Sequence, residues 1–543
     1  MAMRNLPNEN AGDPVLLEVF KHLFASIAEE MGSVLRKTSF SPNIKERRDY
    51  SCALFDGSGQ MIAQAAHIPV HLGSMPLSVL AAIHAFPYPS NPLNPGDMVI
   101  LNDPYLGGTH LPDITLVAPV FISDDTSRPF AFVATRAHHA DVGGMTPGSM
   151  PVSREIYQEG LIIPPIRFVR SGHIDTSILD LILANVRTPK DREGDIQAQI
   201  AANNRGVARM QELISRFSRT RVSAYMEHLL AYTEKMTRIL LSTIPDGVYS
   251  YQDYLDDDGI EPDAIPIRVT ITVQADRATV DFTGSAPQQT GSVNAVYAIT
   301  LSAVYYVFRC LIGLDVPNNS GCLRPIQVIA PEGTIVNSRR PAPVAGGNVE
   351  TSQRIVDVLL GALARAFPER IPAASQGTMN NLTIGGWDHK RQKYFTYYET
   401  IAGGAGALFN APGASAVHSH MTNTLNTPVE AIEYSYPLRV VRYGIRQESG
   451  GAGRWHGGNG IQRDIQVLCN AQVTMLSDRR KIAPYGLSGG CAGTVGKNIL
   501  IQNGNEIALD GKVTFFINAN DIVSIQTPGG GGFGTPEVDD ARP

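Results

Sequence analysis

Three short apolar runs, each bordered by polar residues, constrain the fold of this chain most strongly. The runs MVIL, ITLVAPVF and FAFVAT lie between residues 98 and 135 and have the length and composition of buried strands. Strands hold the backbone in place, and the loops beyond them present side chains, so residues at strand ends are suited to a metal or catalytic site. The polar clusters beside these runs contain His110, Asp113, His138, His139 and Asp141.

Spacing within the clusters limits which side chains can share one ion. His110 and Asp113 are three residues apart, so a turn would bring both to one site. His138 and His139 are adjacent, and in an extended segment their side chains point to opposite faces. We therefore expect only one of the two to bind an ion directly. The alternative is that all of these residues lie in surface loops and hold no ion.

Composition narrows the class of protein. A formal net charge of -6 over 543 residues argues against nucleic acid as a partner. The 51 glycines and 36 prolines predict many turns rather than a helical bundle. No stretch approaches the ~20 apolar residues of a membrane-spanning helix, and the first residues lack a signal core. Five separated cysteines without a CxxC pair fit a reducing compartment, so we expect a cytoplasmic protein without membrane contact.

Residues 1–243 form the first predicted part of the chain, in which helices accompany strands. Residues 13–37 predict an amphipathic helix with Asp13 as its N-cap. The runs YSCALFD and MIAQ flank a Gly-Ser-Gly turn and predict a hairpin. Residues 219–243 predict a further long helix. This part would carry the metal site on a mixed sheet.

Residues 244–375 and 376–543 form the predicted central and C-terminal parts. The central part combines antiparallel strands with helices, and Gly346-Gly347-Asn348 precede a helix predicted over 351–367. A glycine-rich helix N-terminus of this kind can hold an anion. Short strands and glycine turns fill the C-terminal part. The predicted fold class is therefore mixed α/β (α+β), with N-terminal helices and a β-rich, glycine-turn C-terminal part.

Other polar residues are candidates for the same pocket. Asp49 directly precedes a predicted strand and matters only if that strand aims it at the histidine cluster. His67 and His71 flank a proline, which argues against a helical ligand pair but permits pocket lining. His418 and His420 would form a second polar patch along a cleft. Solvated ion pairs and ordinary loop histidines are the alternatives.

The chain lacks a P-loop, the phosphate-binding motif of many ATPases. A P-loop ending at Gly496-Lys497 would need glycine and serine or threonine where the chain has Cys491 and Asn498. If the reaction uses ATP, we expect that this chain does not bind it through a P-loop.

Several stretches together resemble the hydantoinase B family. This family includes the C-terminal half of eukaryotic 5-oxoprolinase and the larger subunits of acetone and acetophenone carboxylases. The matching stretches include RRDYSCALFDGSGQMIAQAAHIPVHLGSM, GDMVILNDPYLGGTHLPDITLVAPVF, AHHADVGGMTPGSMP, ESGGAGRWHGGNGIQR, SDRRKIAPYGLSGG and TPGGGGFG. The likeness runs from near residue 15 to residue 534, which is nearly the whole chain.

The resemblance implies the metal-binding subunit of an ATP-dependent cyclic-amide hydrolase acting on hydantoin, 5-oxoproline or another lactam. A hydantoinase A-type ATPase subunit would phosphorylate the carbonyl oxygen of the substrate, and the present type of subunit would hydrolyse the activated ring. The two subunits would form a heterotetramer or a larger complex. Phosphorylation is needed because a planar amide is stabilised by resonance and resists water.

The resemblance also implies roles for individual residues. Zinc, manganese or iron would be the metal, since mixed histidine and carboxylate ligands suit these ions better than calcium. The choice between His138 and His139 as a ligand stays open. Carried over residue by residue, the metal ligands would be Asp49, His110, Asp113 and His138, and the catalytic residues beside them His139 and Asp141.

Two other functions fit the same sequence. The first is a subunit of an ATP-dependent ketone carboxylase of the acetone or acetophenone type, which would require bicarbonate. The second is a non-catalytic scaffold that stabilises the ATPase subunit. Alanine at His110 or Asp113 separates the scaffold from both enzymes, because a scaffold would lose no activity.

Overall fold

The computed structural model describes residues 13–65, 67–122, 125–313 and 315–536. The longest helices lie in the N-terminal half of the chain. The helices are α1 (Pro14–Thr38), α2 (Pro42–Lys45), α3 (Ser74–Ala85), α4 (Thr176–Ala184), α5 (Pro189–Phe217), α6 (Arg219–Thr243), α7 (Tyr297–Ile312), α8 (Ser352–Leu363) and α9 (Val429–Ser435).

Four sheets accompany these helices. Strands of the first sheet are β1 (Tyr50–Asp56), β2 (Met61–Gln64), β3 (Met98–Leu101), β4 (Asp113–Val120), β5 (Ala131–His138), β6 (Ile166–Arg170) and β7 (His173–Ile174). The later strands are β8 (Gly247–Leu255), β9 (Ile265–Gln274), β10 (Arg277–Asp281), β11 (Ile326–Ile329), β12 (Asn381–Asp388), β13 (Lys393–Glu399), β14 (Leu438–Arg446), β15 (Gly460–Val467), β16 (Ala471–Leu476), β17 (Lys497–Gln502), β18 (Asn505–Leu509), β19 (Lys512–Ile517) and β20 (Ile522–Gln526).

Helix α1 begins and ends close to the predicted bounds. The side chain of Asp13 accepts a hydrogen bond of 2.9 Å from the backbone N–H of Val15, which satisfies a donor that the first turn leaves free. The buried face of the helix packs Phe20, Phe24 and Met31 into the main hydrophobic core. The predicted cap and apolar stripe are therefore confirmed.

The first sheet has the strand order β2-β1-β5-β4-β3-β6-β7. Every pairing in it is antiparallel, so the predicted mixed sheet is wrong in this detail. The physical reason is chain length: four residues join β1 to β2 and ten join β4 to β5, fewer than the dozen or so that the crossover of a parallel pair needs. The mixed α/β class itself is confirmed.

Two helices cover opposite faces of this sheet. On one face, Gln199 and Asn203 of α5 donate to the carbonyl oxygens of Ile114 and Leu116 at 3.0 Å. On the other face, the buried Arg136 of β5 donates to hydroxyl groups of α3. Successive side chains of a strand alternate between these two environments. The α3 face is the one that receives the candidate site.

The later sheets build the rest of the chain. The second sheet, β11-β10-β9-β8, is parallel only between β10 and β11 among its described pairs. The third sheet, β13-β12-β16-β19, and the fourth, β14-β15-β20-β17-β18, share a second hydrophobic core. The first core joins residues as distant in sequence as Phe20 and Leu476. The division of the chain into three parts, after residues 243 and 375, stays a prediction.

Segments 403–407, 450–458 and 528–532, here called the glycine bundle, lie side by side outside the sheets. Backbone hydrogen bonds of 2.8–3.0 Å join them, as from Gly404 to Pro528. A Cβ atom on Gly404 would lie 2.0 Å from the carbonyl oxygen of Gly458, closer than atoms can approach. The segments can therefore pack only because glycine has no side chain.

A buried ionic cluster ties α8 to the second sheet and to the loop after β16. Arg354 bonds to Asp357 at 2.7 Å and to Asp478 at 2.9 Å, and Arg479 bonds to Asp253 at 2.6 Å and to Asp357 at 2.8 Å. All five side chains are buried.

Among the described residues, each helix is too short or too polar to cross a lipid bilayer.

Candidate metal centre

Strand pairing brings Asp49, Asp113 and His138 into one row. Asp113 begins β4 and His138 ends β5, and the two are direct partners across the antiparallel pair. Their side chains therefore leave the same face of the sheet. On the other side of β5, the backbone N–H of His138 donates to the carbonyl oxygen of Asp49 at 3.0 Å. Asp49 thus lies at the start of the next strand in the sheet.

A tight turn adds His110 to this row. The backbone N–H of Asp113 donates to the carbonyl oxygen of His110 at 3.1 Å, so the chain reverses just before β4. This turn places Nε2 of His110 3.1 Å from Oδ1 of Asp113. Nδ1 of His138 lies 3.3 Å from the same oxygen and 3.2 Å from Nε2 of His110.

This triangle of two nitrogens and one oxygen has the dimensions of a metal site. Bonds of about 2.0–2.2 Å from a transition metal to nitrogen or oxygen place neighbouring ligand atoms roughly 2.8–3.1 Å apart in octahedral and roughly 3.3–3.6 Å apart in tetrahedral geometry. His110, Asp113 and His138 form a group of buried residues able to hold an ion. Imidazole and carboxylate ligands suit zinc, manganese or iron. The donor set therefore fits the predicted class of metal.

Electrostatics favour the protonation states that metal binding needs. Burial lowers the pKa of His138 and of His71, which keeps both imidazoles neutral. Burial acts to raise the pKa of the Asp113 carboxyl, but the neighbouring imidazoles outweigh it and hold that pKa well below its usual range. Neutral imidazole and ionised carboxylate are the forms that bind metals.

A small cavity of about 20 Å³ adjoins the group. Asp49, Asp113 and His138 line it, together with residues of the third sheet such as Tyr398. A volume of this size holds roughly one water molecule or one ion. Burial raises the pKa of Asp49, although His138 and Arg47 act in the opposite direction. Asp49 lines the cavity but lies outside the three-residue group, and its role as a metal ligand stays a prediction.

His139 and Asp141 lie elsewhere in the structure. The ring of His139 bonds to Gln199 of α5 at 2.9 Å, on the opposite face of the sheet from His138. The Asp141 carboxylate accepts hydrogen bonds from the backbone and guanidinium of Arg187, at 2.6 and 3.0 Å. The structure thus separates both from the group of His110, Asp113 and His138, and their catalytic role stays a prediction.

Three further residues surround the site. The sequence predicted a pocket-lining position for His71 and no role for Thr109 or Tyr398. His71, expected only to line a pocket, places Nε2 3.3 Å from Oδ2 of Asp113. The hydroxyl of Thr109 donates to the same oxygen at 2.5 Å. The ring of Tyr398 stacks on His138. Thr109 precedes His110 directly, but Tyr398 is too distant in sequence for any spacing pattern to reveal it.

The second predicted histidine patch lies near the cavity. Met421 and Thr422 line the cavity, and they directly follow His420. The ring of His420 contacts Tyr306 of α7 at 3.4 Å, through Nδ1. His418 is half-buried, and burial lowers its pKa to about 4. These rings approach the site without joining the triangle.

Comparison with known proteins supplies the family. The chain is 44% identical to an uncharacterised protein of Methanocaldococcus jannaschii, over 96% of this chain and 91% of that protein. It is 41% identical to 5-oxoprolinase 1 of Arabidopsis thaliana over 97% of this chain, but it spans only 42% of that longer protein. It is 33% identical to the provisionally named B-type subunit of a D-/L-hydantoinase from Pseudomonas sp. (strain NS671), over 96% of this chain and 90% of that subunit.

Two solved structures have the same fold. An ATP-dependent caprolactamase from Pseudomonas jessenii superposes with a TM-score of 0.89 at 28% identity, over 97% of this chain and 92% of that chain. A nucleotide-free acetone carboxylase superposes with a TM-score of 0.88 at 19% identity, over 97% of this chain and 76% of that chain. The family model described as hydantoinase B/oxoprolinase matches residues 13–536. The chain therefore belongs to the hydantoinase B/oxoprolinase family.

Proposed function

We propose that this chain is the metal-binding subunit of an ATP-dependent cyclic-amide hydrolase. The observation that carries the proposal is the buried triangle of His110, Asp113 and His138, whose ligand atoms lie 3.1–3.3 Å apart. Relatives named 5-oxoprolinase and a neighbour titled ATP-dependent caprolactamase act on cyclic amides by name, which supports the same class of substrate here.

The residues of the chain would hold and enclose the reacting group. His110, Asp113 and His138 would bind zinc, manganese or iron, with Asp49 as a fourth ligand from the neighbouring strand. Such a metal supplies Lewis acidity towards a water or carbonyl oxygen. His71 and Thr109 would orient Asp113 through its second oxygen, as groups behind a ligand commonly do. His139 and Asp141 would act indirectly, by fixing the backbone that carries His138.

ATP would be used by a second subunit. The chain has no P-loop, and an amide ring resists hydrolysis unless its carbonyl oxygen is activated. A hydantoinase A-type ATPase subunit would phosphorylate that oxygen and pass the activated ring to the cavity beside His138. The two subunits would form a heterotetramer or larger assembly in the cytoplasm.

The adjacent histidines provide a matched test of the metal site. The experiment compares His138→Ala and His139→Ala with the wild type, and measures metal per chain by mass spectrometry after gel filtration. We expect about one transition metal per wild-type chain, its loss in His138→Ala, and its retention in His139→Ala. Equal metal content in the two folded variants would contradict the assignment of His138.

Turnover then separates the candidate reactions. The purified pair of subunits is supplied with ATP and a panel of lactams, hydantoins and 5-oxoproline, and ring opening is followed by chromatography. Ring opening that Asp113→Asn abolishes is the expected result. Turnover of acetone or acetophenone that needs bicarbonate would identify a ketone carboxylase instead. Full ring opening by the Asp113→Asn complex would identify a scaffold.

A further inference from the structure

Asn348 lines the cavity beside the candidate metal centre. Its side chain is 5% exposed and lines the same cavity as Asp113 and His138. Within the part of the chain that the structure describes, the amide oxygen of Asn348 has no hydrogen-bond partner. A buried polar atom without a partner destabilises the folded state, so its presence calls for an explanation.

The backbone around Asn348 is anchored, whereas its amide oxygen has no partner among the described residues. Asn348 lies in a π-helical turn, Gly347–Thr351, which leads into α8, and turns of this type occur frequently at functional sites. The backbone N–H of Gly347 donates to Ser292 at 3.1 Å, and the hydroxyl of Ser352 donates to the carbonyl oxygen of Asn348 at 2.7 Å. A Cβ atom on Gly347 would lie 1.8 Å from the carbonyl oxygen of Asn294. Close packing thus fixes the position from which the amide projects.

Several other polar side chains along the cavity already have partners, whereas Nε2 of His138 has none among the described residues. The hydroxyl of Tyr398 donates to Asn381 at 2.9 Å. The hydroxyl of Thr400 accepts from Arg47 at 2.7 Å and lies 2.9 Å from the hydroxyl of Thr424. Asp113 is bonded to its neighbouring imidazoles. The amide of Asn348 is therefore well placed to receive a group from outside the chain.

We propose that Asn348 binds the ring nitrogen of the cyclic amide, an inference that rests on the proposed function. The nitrogen of a lactam carries a hydrogen and donates, whereas the nitrogen of the O-activated ring has lost it and accepts. A carboxamide has both an acceptor and a donor, so Asn348 can bond to the nitrogen in either form. A carboxylate or an ammonium group could bond to only one of them.

Binding of a ring requires the cavity to enlarge. Its volume of about 20 Å³ holds no ring. Met421 and Thr422, which form part of its wall, belong to a segment without helix or strand whose next residue, Asn423, is exposed. Withdrawal of this segment would open the space between Asn348 and His138 without moving the strands that carry the metal ligands.

Binding of a stable mimic tests the inference without any turnover. Cyclic O-methyl imidates with five-, six- and seven-membered rings copy the activated ring and keep its accepting nitrogen. Calorimetry measures their binding to the full chain as purified, in the wild type, Asn348→Ala and Asn348→Ser. The control is Asn505→Ala, the same loss of an amide at an exposed position of the fourth sheet.

We expect one ring size to bind to the wild type and to Asn505→Ala with equal affinity. Both Asn348 variants should bind it at least about tenfold more weakly, since a buried hydrogen bond is lost. Metal content and circular dichroism should be unchanged in all variants. Equal affinity in the wild type and in a folded Asn348 variant, or no binding of any mimic to the wild type, would overturn the inference.

The outcome is independent of the turnover assay. Ring opening by the complex together with unaltered binding in the Asn348 variants would reject the role of Asn348 and leave the proposed function standing. Asn348-dependent binding without any ring opening would reject the hydrolase and leave a nitrogen-binding site.

Discussion

The rings of His138 and Tyr398 stack with their centroids 4.2 Å apart and an angle of 11° between their planes. His138 ends a strand of the first sheet, and Tyr398 lies on β13 of the third. The guanidinium of Arg47 lies 4.8 Å from the centre of the Tyr398 ring. The orientation of a candidate metal ligand therefore depends on a contact between two sheets that are far apart in sequence.

Loss of the Tyr398 ring should weaken metal binding. Without the stack, the imidazole of His138 is free to rotate, and groups that orient a ligand are commonly worth 10–100-fold in metal affinity. We expect Tyr398→Ala to bind the metal about tenfold more weakly in a competitive chelator titration. Tyr398→Phe retains the ring and should stay within about threefold of the wild type. Similar affinities for Tyr398→Ala and the wild type would show that the stack does not matter.

Glu350 should make the protein less stable as the pH rises from about 5 to 8. Burial, assisted by the nearby Asp478 carboxylate, raises the pKa of Glu350 from 4.5 to about 8. In this range the native state holds a proton that the unfolded state has released, so the free energy of unfolding falls as the pH rises, by at most about 1.4 kcal/mol per pH unit.

The variant Glu350→Gln isolates this effect. Glutamine keeps the acceptor that Met379 and Asn381 use, and it cannot ionise. The difference in melting temperature between the variant and the wild type should therefore shift in favour of the variant between pH 5 and pH 8. A difference that stays constant across this range would mean that Glu350 titrates normally in the folded protein.

Removal of Arg354 should destabilise the protein strongly. Its side chain is fully buried and neutralises carboxylates of α8 and of the loop after β16. Arg354→Met leaves these charges without their partner, which costs about 3–5 kcal/mol. The exposed pair of Arg339 and Glu332 provides the control, because Arg339→Ala should cost no more than about 1 kcal/mol. Denaturant unfolding of the two variants, followed by fluorescence, measures both values.

Adding one methyl group to the glycine bundle should destabilise the protein. Gly404→Ala would place its Cβ 2.0 Å from the carbonyl oxygen of Gly458, so the neighbouring backbone must move. We expect Gly404→Ala to be recovered in much lower soluble yield and to melt well below the wild type. Gly444→Ala, whose Cβ would meet no atom within 4 Å, should match the wild type. A stable Gly404→Ala protein would contradict the tight packing described here.

Local patterns predicted several features of the site, while others depend on the tertiary structure. The alternation of side chains along a strand separates His138 from His139, and the three-residue spacing brings His110 to Asp113. Asp49 could be placed at the site only through the family resemblance, because β1 pairs with β5 across 74 intervening residues (residues 57–130). Tyr398 and Asn348 reach the cavity from other parts of the fold, so no periodicity in the sequence indicates them.

The roles of His139 and Asp141 were carried over from the family resemblance and stay predictions. Both lie close to His138 in sequence, but the structure does not place them in the same group. His139 instead faces α5, and the carboxylate of Asp141 turns towards Arg187. A strand end followed by a tight turn sends successive side chains in different directions, and only the packing of α5 determines which partners they meet.

The glycine bundle also affects how stability varies with temperature. Heat capacity rises when unfolding exposes apolar surface and falls when it exposes peptide groups. The glycine segments bury peptide groups with almost no apolar side chains, so their unfolding adds little to the heat-capacity change of the whole chain. The contribution of the glycine bundle to the free energy of unfolding should therefore change little on cooling, whereas the contribution of the two hydrophobic cores should decrease.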